Sequence, residues 1–259
     1  MRLMVYSKST ERYAKNWNYD KTLMVLHHPT KETLKLASSE DQVIAIGGGS
    51  VIDTAKIISR NPVIAIPTTF AGASRTSHAV YWYDKRKFNF DTSRPVTITK
   101  PEYLKTLPED IYQHSKADCI CHALESLISK KATAESRFYA LTALELINKG
   151  NREDTLTASL LAADAFEITG TNILHALSYP LTAIYEISHG KALLFLLPKI
   201  LPYVEDMLEV DINIKEIDIS TEIDMTMIIE EALKYPKIFE TRKIINRKIL
   251  TSLMGGKVK

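Results

Sequence analysis

Four side chains in the second half of the sequence are of types that bind divalent transition metals. Asp118 and His122 are four residues apart in KADCICHALES, so a helix would carry both on one face. His175 and His189 follow in the largely apolar segment NILHALSYPLTAIYEISHG. One carboxylate and three imidazoles would suit Zn²⁺ or Fe²⁺. Taken alone, the Asp118–His122 pair is more typical of a helix-surface hydrogen bond, and His175 and His189 are each more typical of a core histidine. The spacing does not prove that the four converge.

A second candidate site is the run Gly47-Gly48-Gly49-Ser50, which lies between an apolar strand pattern and a helix pattern beginning near Val51. Glycines at such a turn let a pyrophosphate approach the backbone, and the helix N-terminus directs N–H groups at the anion. The run is also consistent with a tight turn that binds nothing, because it is not the G-x-G-x-x-G fingerprint.

A second loop supports the nucleotide interpretation. The segment VIAIPTTFAGAS again leads from an apolar strand pattern into small and hydroxyl residues, namely Thr68, Thr69, Gly72 and Ser74. Loops that follow neighbouring strands of an α/β sheet form one crevice, where such sheets usually bind ligands. The two loops together favour a nucleotide site.

The elements that would position these loops alternate between strand and helix. Short unalternating apolar runs predict strands buried on both faces of a parallel sheet, at Thr22–Leu26, Gln42–Ile46 and Val63–Ile66. Helices are predicted at Lys31–Ala37 and Val51–Ser59, and further extended segments at Ala79–Tyr83 and Val96–Thr99. This alternation predicts an open Rossmann-like α/β domain over residues 1–107.

The residues after Pro108 carry apolar side chains at three- and four-residue spacing and predict an all-helical domain over residues 108–259. The predicted helices are Ile111–Ser129, Ala134–Asn148, Thr155–Phe166, Thr171–Tyr185, Met225–Leu233 and Thr241–Leu253.

Composition limits the partners. The chain has 33 basic and 31 acidic residues, so nothing favours nucleic acid or an anionic membrane as its main partner. Cys119 and Cys121 are two residues apart and point in different directions on a helix, so we expect reduced thiols and a cytoplasmic protein. We expect neither a signal peptide nor a transmembrane segment, because no apolar run is long enough.

The order of four motifs resembles the iron-containing (metal-dependent, group III) alcohol dehydrogenase family. The motifs are GGGSVIDTAK, PTT with a following Ser, D-x-x-x-H-A-x-E and H-x₁₃-H-G-x-A, and the similarity extends from about Asp41 to the C-terminal segment. The resemblance implies a dehydroquinate synthase-like architecture, an α/β domain followed by an all-helical one. It also implies that Asp118, His122, His175 and His189 are the metal ligands.

The resemblance further implies a nucleotide site and two catalytic residues. The positions that match the cofactor cleft are Gly47, Gly48, Gly49, Ser50, Asp53, Thr68, Thr69, Ser74 and Lys87. Asp53 and Lys56 match the acid and base of the first motif. Tyr179 stands where the family often has a further histidine near the nicotinamide, so it is a candidate proton relay, with simple packing as the alternative.

The chain also departs from the family pattern. Family members usually carry another strand–helix unit before the region matching Thr22–Leu26, whereas about twenty residues precede it here, which implies a shortened nucleotide domain. Arg75 stands where a Glu commonly follows the Ser of the second motif, and Lys100 replaces an Asp before the proline of ITKP.

The function that these features favour is hydride transfer between NAD or NADP and a small alcohol or aldehyde. Fe²⁺ or Zn²⁺ would serve as a Lewis acid. The alternatives are a glycerol dehydrogenase or dehydroquinate synthase-like enzyme, a metal-binding protein that has lost dinucleotide-dependent catalysis, and a metal-dependent lyase or hydrolase of a phosphorylated compound. A second copy of the chain, forming a homodimer over an exposed sheet edge, is the expected protein partner.

Overall fold

In the computed structural model, the first part of the chain contains a five-stranded parallel sheet, and the second part consists mainly of helices. The structure describes residues 1–212, 214 and 217–255. It divides into two units, Met1–Tyr112 and Gln113–Lys259.

The first unit contains seven strands among its described residues. They are β1 (Arg2–Tyr6), β2 (Lys21–Met24), β3 (Gln42–Gly47), β4 (Ile64–Pro67), β5 (His78–Tyr83), β6 (Arg86–Asp91) and β7 (Val96–Thr97). Five of them form the parallel sheet in the order β2-β1-β3-β4-β7, and β5 pairs with β6 in an antiparallel hairpin. The helices of this unit are α1 (Glu11–Ala14), α2 (Gly49–Ile58) and α3 (Pro101–Leu104).

Both faces of the central strands are buried. On one face, side chains of β1, β3 and β4 pack with α2; this cluster includes Leu3, Val5, Val43, Ala45, Ile52, Ala55 and Ala65. On the other face lies a second cluster, with Met4, Ile44, Ile46 and Ile66 beside Ala14 of α1 and Tyr103 of α3. Two-sided burial explains why these strands are apolar without alternation.

The second unit is helical. It contains α4 (Glu109–Ile128, whose first residues belong to the first unit), α5 (Ala134–Asn148), α6 (Arg152–Thr169), α7 (Ile173–Tyr185), α8 (His189–Val204), α9 (Met225–Leu233) and α10 (Arg247–Leu253). A 3₁₀ turn at Pro236–Glu240 lies between α9 and α10. Within the described part of the chain, no helix combines the length and the hydropathy needed to cross a membrane. The predicted fold class, an α/β part followed by a helical part, is confirmed.

Several elements differ from the sequence-based prediction. The patterns do not predict β1, yet it pairs with both β2 and β3, so the residues before β2 supply a strand and the short helix α1. The predicted helix Lys31–Ala37 is a 3₁₀ turn over Lys31–Lys35 with no fully buried residue, and Leu34, partly buried, packs against the α2 cluster. A single partly buried side chain is little to stabilise a longer helix.

Two differences concern the C-terminal helices. The predicted helix Thr241–Leu253 begins only at Arg247, because Thr241 forms an isolated antiparallel bridge with Ser129 and leaves the helical conformation. Helix α8 is not predicted, and it contains Pro198 and Pro202, which usually interrupt helices.

Candidate metal centre and nucleotide loops

The candidate metal centre is built on three helices of the second unit. Asp118 lies on α4, His175 on α7, and His189 is the first residue of α8. One ligand atom of each lies within 4.8 Å of those of the other two. The Oδ1 atom of Asp118 is 3.3 Å from Nε2 of His175 and 3.8 Å from Nε2 of His189. The structure therefore brings three of the four predicted ligand residues together.

His122 lies one turn after Asp118 on α4, as the spacing predicts. Its Nε2 atom is 3.5 Å from Oδ1 of Asp118, but His122 is not part of the mutually close set of three. Its ring stacks on Phe166 with centroids 4.0 Å apart and on His175 at 4.7 Å. His122 is thus next to the cluster, in contact with two of its members.

Two atoms of the cluster are buried and lack a hydrogen-bond partner among the residues that the structure describes. They are Oδ1 of Asp118 and Nε2 of His175, which face each other but do not form a hydrogen bond. A buried polar atom without a partner costs about 1–3 kcal/mol. A divalent cation would satisfy both, since carboxylate oxygen and imidazole nitrogen are its usual ligands. The residues present therefore fit a metal ion.

A fully buried carboxylate, Glu125, orients one of the candidate ligands. Its Oε2 is 2.6 Å from Nδ1 of His175, while its Oε1 accepts the backbone N–H groups of Leu174 at 2.6 Å and His175 at 3.0 Å. Because a carboxylate accepts a hydrogen from Nδ1, the Nε2 atom of His175 is left to face Asp118. Glu125 is absent from the predicted site residues, although its position seven residues after Asp118 puts it on the same helix face.

The close approach of α8 depends on a glycine. An added Cβ at Gly190 would lie 2.5 Å from the backbone oxygen of His114 on α4. A side chain at this position would push the first turn of α8, and with it His189, away from the helix that carries Asp118. The glycine of the H-G-x-A motif is therefore explained by packing next to the cluster.

In this cluster, burial and the charges of neighbouring side chains shift each pKa in opposite directions. Burial raises the pKa of Asp118, but the charge of His122 and the other two histidines outweighs it and holds the pKa below its usual range. Burial likewise raises the pKa of Glu125, and His175 brings it below the ordinary value. For His175 burial lowers the pKa, while Glu125 and Asp118 raise it, with a net pKa of about 9. A charged, hydrogen-bonded set of this kind is typical of a site tuned for ligand binding or catalysis.

Tyr179 lies one turn after His175 on α7 and is 5% exposed. Its ring centroid is 6.4 Å from that of His175 and 6.1 Å from that of His189. Its hydroxyl oxygen accepts a hydrogen bond of 2.8 Å from Nζ of Lys237, which also donates to Oγ1 of Thr171 at 2.8 Å. The structure therefore places Tyr179 beside two candidate ligands and beside a lysine that the sequence patterns do not single out.

In the first unit, the glycine loop connects β3 to α2. Gly47 ends β3, Gly48 precedes α2, and Gly49 is the first residue of the helix. An added Cβ at Gly47 would lie 2.6 Å from the side chain of Val51, so glycine is needed for the helix to start so close to the strand. The loop leaves the N-terminus of α2, with its outward N–H groups, at the carboxyl end of the sheet.

The second loop lies against the first. The backbone N–H of Thr68 donates to the carbonyl of Gly47 at 3.0 Å, and an added Cβ at Gly48 would be 3.2 Å from the side chain of Thr69. Ser74 is almost completely buried, and its carbonyl accepts a hydrogen bond from Oγ1 of Thr97. The structure therefore brings the two predicted loops together, with the side chain of Ser74 inside the protein.

Lys56 of α2 donates hydrogen bonds to the loop that follows β4. Its buried Nζ donates to the carbonyl of Ala73 and to Oγ1 of Thr76, both at 2.9 Å, and to the carbonyl of His78. It lies 3.6 Å from Oδ1 of Asp53. Burial raises the pKa of Asp53 above its ordinary value, although the nearby charge of Lys56 opposes it. Asp53 is thus a partly buried partner of the buried lysine that stabilises the loop.

The remaining predicted cofactor residues are Ser50 and Lys87. Oγ of Ser50 lies 2.6 Å from Nδ1 of His28, which the sequence patterns do not single out. Lys87 lies on β6 opposite Trp82, and its charge is close enough to act on both Asp53 and His28. Burial lowers the pKa of His28, and Lys87 lowers it further. His28 and Lys87 therefore lie near the start of α2, where Ser50 is located.

Comparison with known proteins gives consistent matches. The family model of the C-terminal part of the Fe-containing alcohol dehydrogenase family matches residues 114–232. The chain is 29% identical over 191 residues to 4-hydroxybutyrate dehydrogenase of Clostridium kluyveri, covering 59% of this chain and 52% of that protein. It is 27% identical over 208 residues to lactaldehyde reductase of Escherichia coli, covering 65% and 54%. The chain spans about half the length of the curated relatives it matches.

Solved structures share the fold. The iron-containing alcohol dehydrogenase of Corynebacterium glutamicum superposes with a TM-score of 0.85 at 20% identity, covering 98% of this chain and 87% of that one. An iron-containing alcohol dehydrogenase of Thermotoga maritima gives a TM-score of 0.76 at 22% identity, covering 98% and 90%. Residues 114–232 thus match the C-terminal part of the Fe-containing alcohol dehydrogenase family, the chain is similar in sequence to the curated relatives above, and it shares the fold of solved iron-containing alcohol dehydrogenases.

Proposed function

We propose that this protein is a metal-dependent oxidoreductase that transfers a hydride between NAD or NADP and a small alcohol or aldehyde. The observation that carries the proposal is the set of buried Asp118, buried His175 and partly buried His189, in which one carboxylate oxygen and one imidazole nitrogen have no protein partner among the described residues. The names of the curated relatives, a 4-hydroxybutyrate dehydrogenase and a lactaldehyde reductase among them, support the reaction class.

Asp118, His175 and His189 would hold Fe²⁺ or Zn²⁺, and His122 is the candidate fourth ligand next to them. A divalent cation held there would supply Lewis acidity toward the oxygen of the alcohol or aldehyde. Glu125 keeps Nε2 of His175 directed at the cluster by accepting a hydrogen bond from Nδ1.

Tyr179 is the candidate proton donor. Reduction of an aldehyde adds a hydride to the carbonyl carbon and a proton to its oxygen. The ammonium of Lys237 donates to the phenol oxygen of Tyr179 and cannot receive the phenol proton, because it has no acceptor. We assign the O–H of Tyr179 to the substrate oxygen because the ring of Tyr179 lies beside His175 and His189.

The dinucleotide, which supplies or accepts the hydride, would bind in the first unit. Its pyrophosphate would be held by the N-terminus of α2, with the backbone of Gly47, Gly48 and Gly49 and the hydroxyl of Ser50. The side chains assigned to the rest of the cofactor are Thr68, Thr69, Ser74, Lys87 and Asp53. Of these, Ser74 is buried and Asp53 is partly buried beside Lys56, so we assign both an indirect role through the loops that they stabilise.

We further propose a cytoplasmic location and a homodimer. Both cysteines are free and buried, which suits a reducing compartment. Strand β2 lies at the edge of the sheet with Lys21, Thr22 and Met24 exposed, and an edge of this kind is a natural site for a second copy.

The proposal is tested by loading the purified protein with Fe²⁺ or Zn²⁺ and following NADH and NADPH absorbance with a panel of short aldehydes. We expect one of the two cofactors to be oxidised only when metal is present. Asp118→Asn should abolish both metal retention and turnover, whereas His27→Ala, which removes an exposed histidine outside the cluster, should retain the metal. If metal binds but neither cofactor binds or is oxidised, the dehydrogenase assignment fails and metal binding without dinucleotide chemistry takes its place.

A further inference from the structure

Lys237 forms a hydrogen bond with Tyr179, whose side chain lies next to the candidate metal centre. It lies in the 3₁₀ turn Pro236–Glu240 and is partly buried. Its Nζ is 2.8 Å from the hydroxyl of Tyr179, 2.8 Å from Oγ1 of Thr171 and 4.9 Å from the centroid of the Tyr179 ring. The same ring is next to His189 and His175. The ammonium is therefore separated from the candidate ligands by one tyrosine side chain.

The contacts of Lys237 within the described residues are with neutral groups, two hydroxyls and an aromatic ring. The acidic residues close to it in sequence bind other cations, since Glu231 pairs with Lys234 and Glu240 with Lys131. A partly desolvated charge without a counter-charge is unfavourable, and an anion in hydrogen-bond contact would relieve the cost.

Lys237 has the donors for such an anion. An ammonium has three N–H groups, and two of those of Lys237 are directed at Thr171 and Tyr179. The third is available for a ligand, and the hydroxyl of Thr171 is a second donor at the same place. Ammonium and hydroxyl together suit a carboxylate.

We propose that Lys237, with Thr171, binds a carboxylate of the substrate, so that the substrate class is a short aldehyde or alcohol that carries a carboxylate a few carbon atoms from the reacting carbon. This inference rests on the proposed function. The reacting oxygen would lie at the metal centre and the carboxylate at Lys237, with the substrate extended along Tyr179 between them. Lys237 is then the residue that determines specificity for the anionic end.

The test compares two aldehydes of equal chain length, 4-oxobutanoate and butanal, in the wild type and in Lys237→Met, Lys237→Arg and Lys234→Met. Lys234 is an exposed lysine three residues earlier and is the matched control. Lys237→Met also removes the hydrogen bond to Tyr179, so we expect kcat to fall alike for both aldehydes. KM for 4-oxobutanoate should rise by roughly tenfold to a hundredfold more than KM for butanal, as for loss of a charge-assisted hydrogen bond. Lys237→Arg should restore much of the loss, and Lys234→Met should behave as wild type.

A direct binding measurement does not depend on turnover. Calorimetry of metal-loaded protein should show that 4-hydroxybutanoate binds more tightly than butan-1-ol, and that Lys237→Met weakens only the former. Equal effects of Lys237→Met on both ligands, no effect on either, or no preference in the wild type would overturn the inference. If neither aldehyde is reduced, the proposed function fails, and the calorimetric comparison still decides whether Lys237 binds a carboxylate.

Discussion

Replacing Glu125 by glutamine should weaken metal binding, although Glu125 itself is not a candidate ligand. The carboxylate accepts three hydrogen bonds, from Nδ1–H of His175 and from the backbone N–H groups of Leu174 and His175. A glutamine keeps an oxygen for the two backbone donors, so its amide NH₂ must face Nδ1 of His175. Two donors then face each other, and His175 has to move its proton from Nδ1 to Nε2.

That change of tautomer acts directly on the cluster. Nε2 of His175 faces Oδ1 of Asp118 at 3.3 Å, and a protonated Nε2 cannot bind a cation. Partners of a metal-bound histidine are typically worth about 10–100-fold in metal affinity. Glu125 is completely buried, with two contacts of 2.6 Å, so we expect the upper part of that range, which corresponds to roughly 2–3 kcal/mol.

The assay is a competition between the protein and a chelator of known affinity for Zn²⁺, with bound metal measured by mass spectrometry. Glu145→Gln is the control, because Glu145 is an exposed glutamate on α5. We expect Glu125→Gln to lose metal at a chelator concentration about 100-fold lower than the wild type and the control. Equal retention in all three proteins would refute the reasoning that Glu125 sets the tautomer of His175.

Gly190→Ala should lower both metal affinity and the free energy of unfolding, the latter by about 1–3 kcal/mol, because the new Cβ meets the backbone of His114. An unchanged urea midpoint would contradict this. Lys56→Met should cost about 1–3 kcal/mol in the same experiment, since one buried and two partly buried acceptors between Ala73 and His78 lose their donor, and a variant as stable as the wild type would argue against that role. Burial raises the pKa of both the Cys119 and the Cys121 thiols, so neither should be alkylated by iodoacetamide in the native protein, whereas both should react in denaturant. Rapid labelling of the native protein, read by mass spectrometry, would show that the thiols are accessible.

The sequence predicts best the elements whose burial leaves a clear pattern. Strands β3 and β4 are apolar throughout because both of their faces are covered, and α5 and α9 begin and end where the periodicity places them. Strand β1 (RLMVY) is not predicted, although it is as long and as apolar as these strands and lies between β2 and β3 in the sheet. Helix α8 is not predicted because it contains Pro198 and Pro202, which usually interrupt helices.

The candidate site is predictable where its residues share a helix and less so where they come together from distant parts of the chain. The spacing of Asp118 and His122 places both on one face of α4, but only the folded structure shows that Asp118 is closer to His175. Glu125 belongs to the same face and could have been found by the same spacing. The contact of Lys237 with Tyr179 joins residues 58 positions apart, and no local pattern indicates it.

The central claim is that Asp118, His175 and His189 hold a divalent metal ion. It is tested most directly by a crystal of the Zn²⁺-loaded protein, with diffraction recorded on both sides of the zinc absorption edge. We expect one strong anomalous peak at bonding distance from Oδ1 of Asp118 and Nε2 of both histidines, with His122 as the next nearest side chain. An anomalous map with no peak at these atoms, or with its peak at other residues, would contradict the claim.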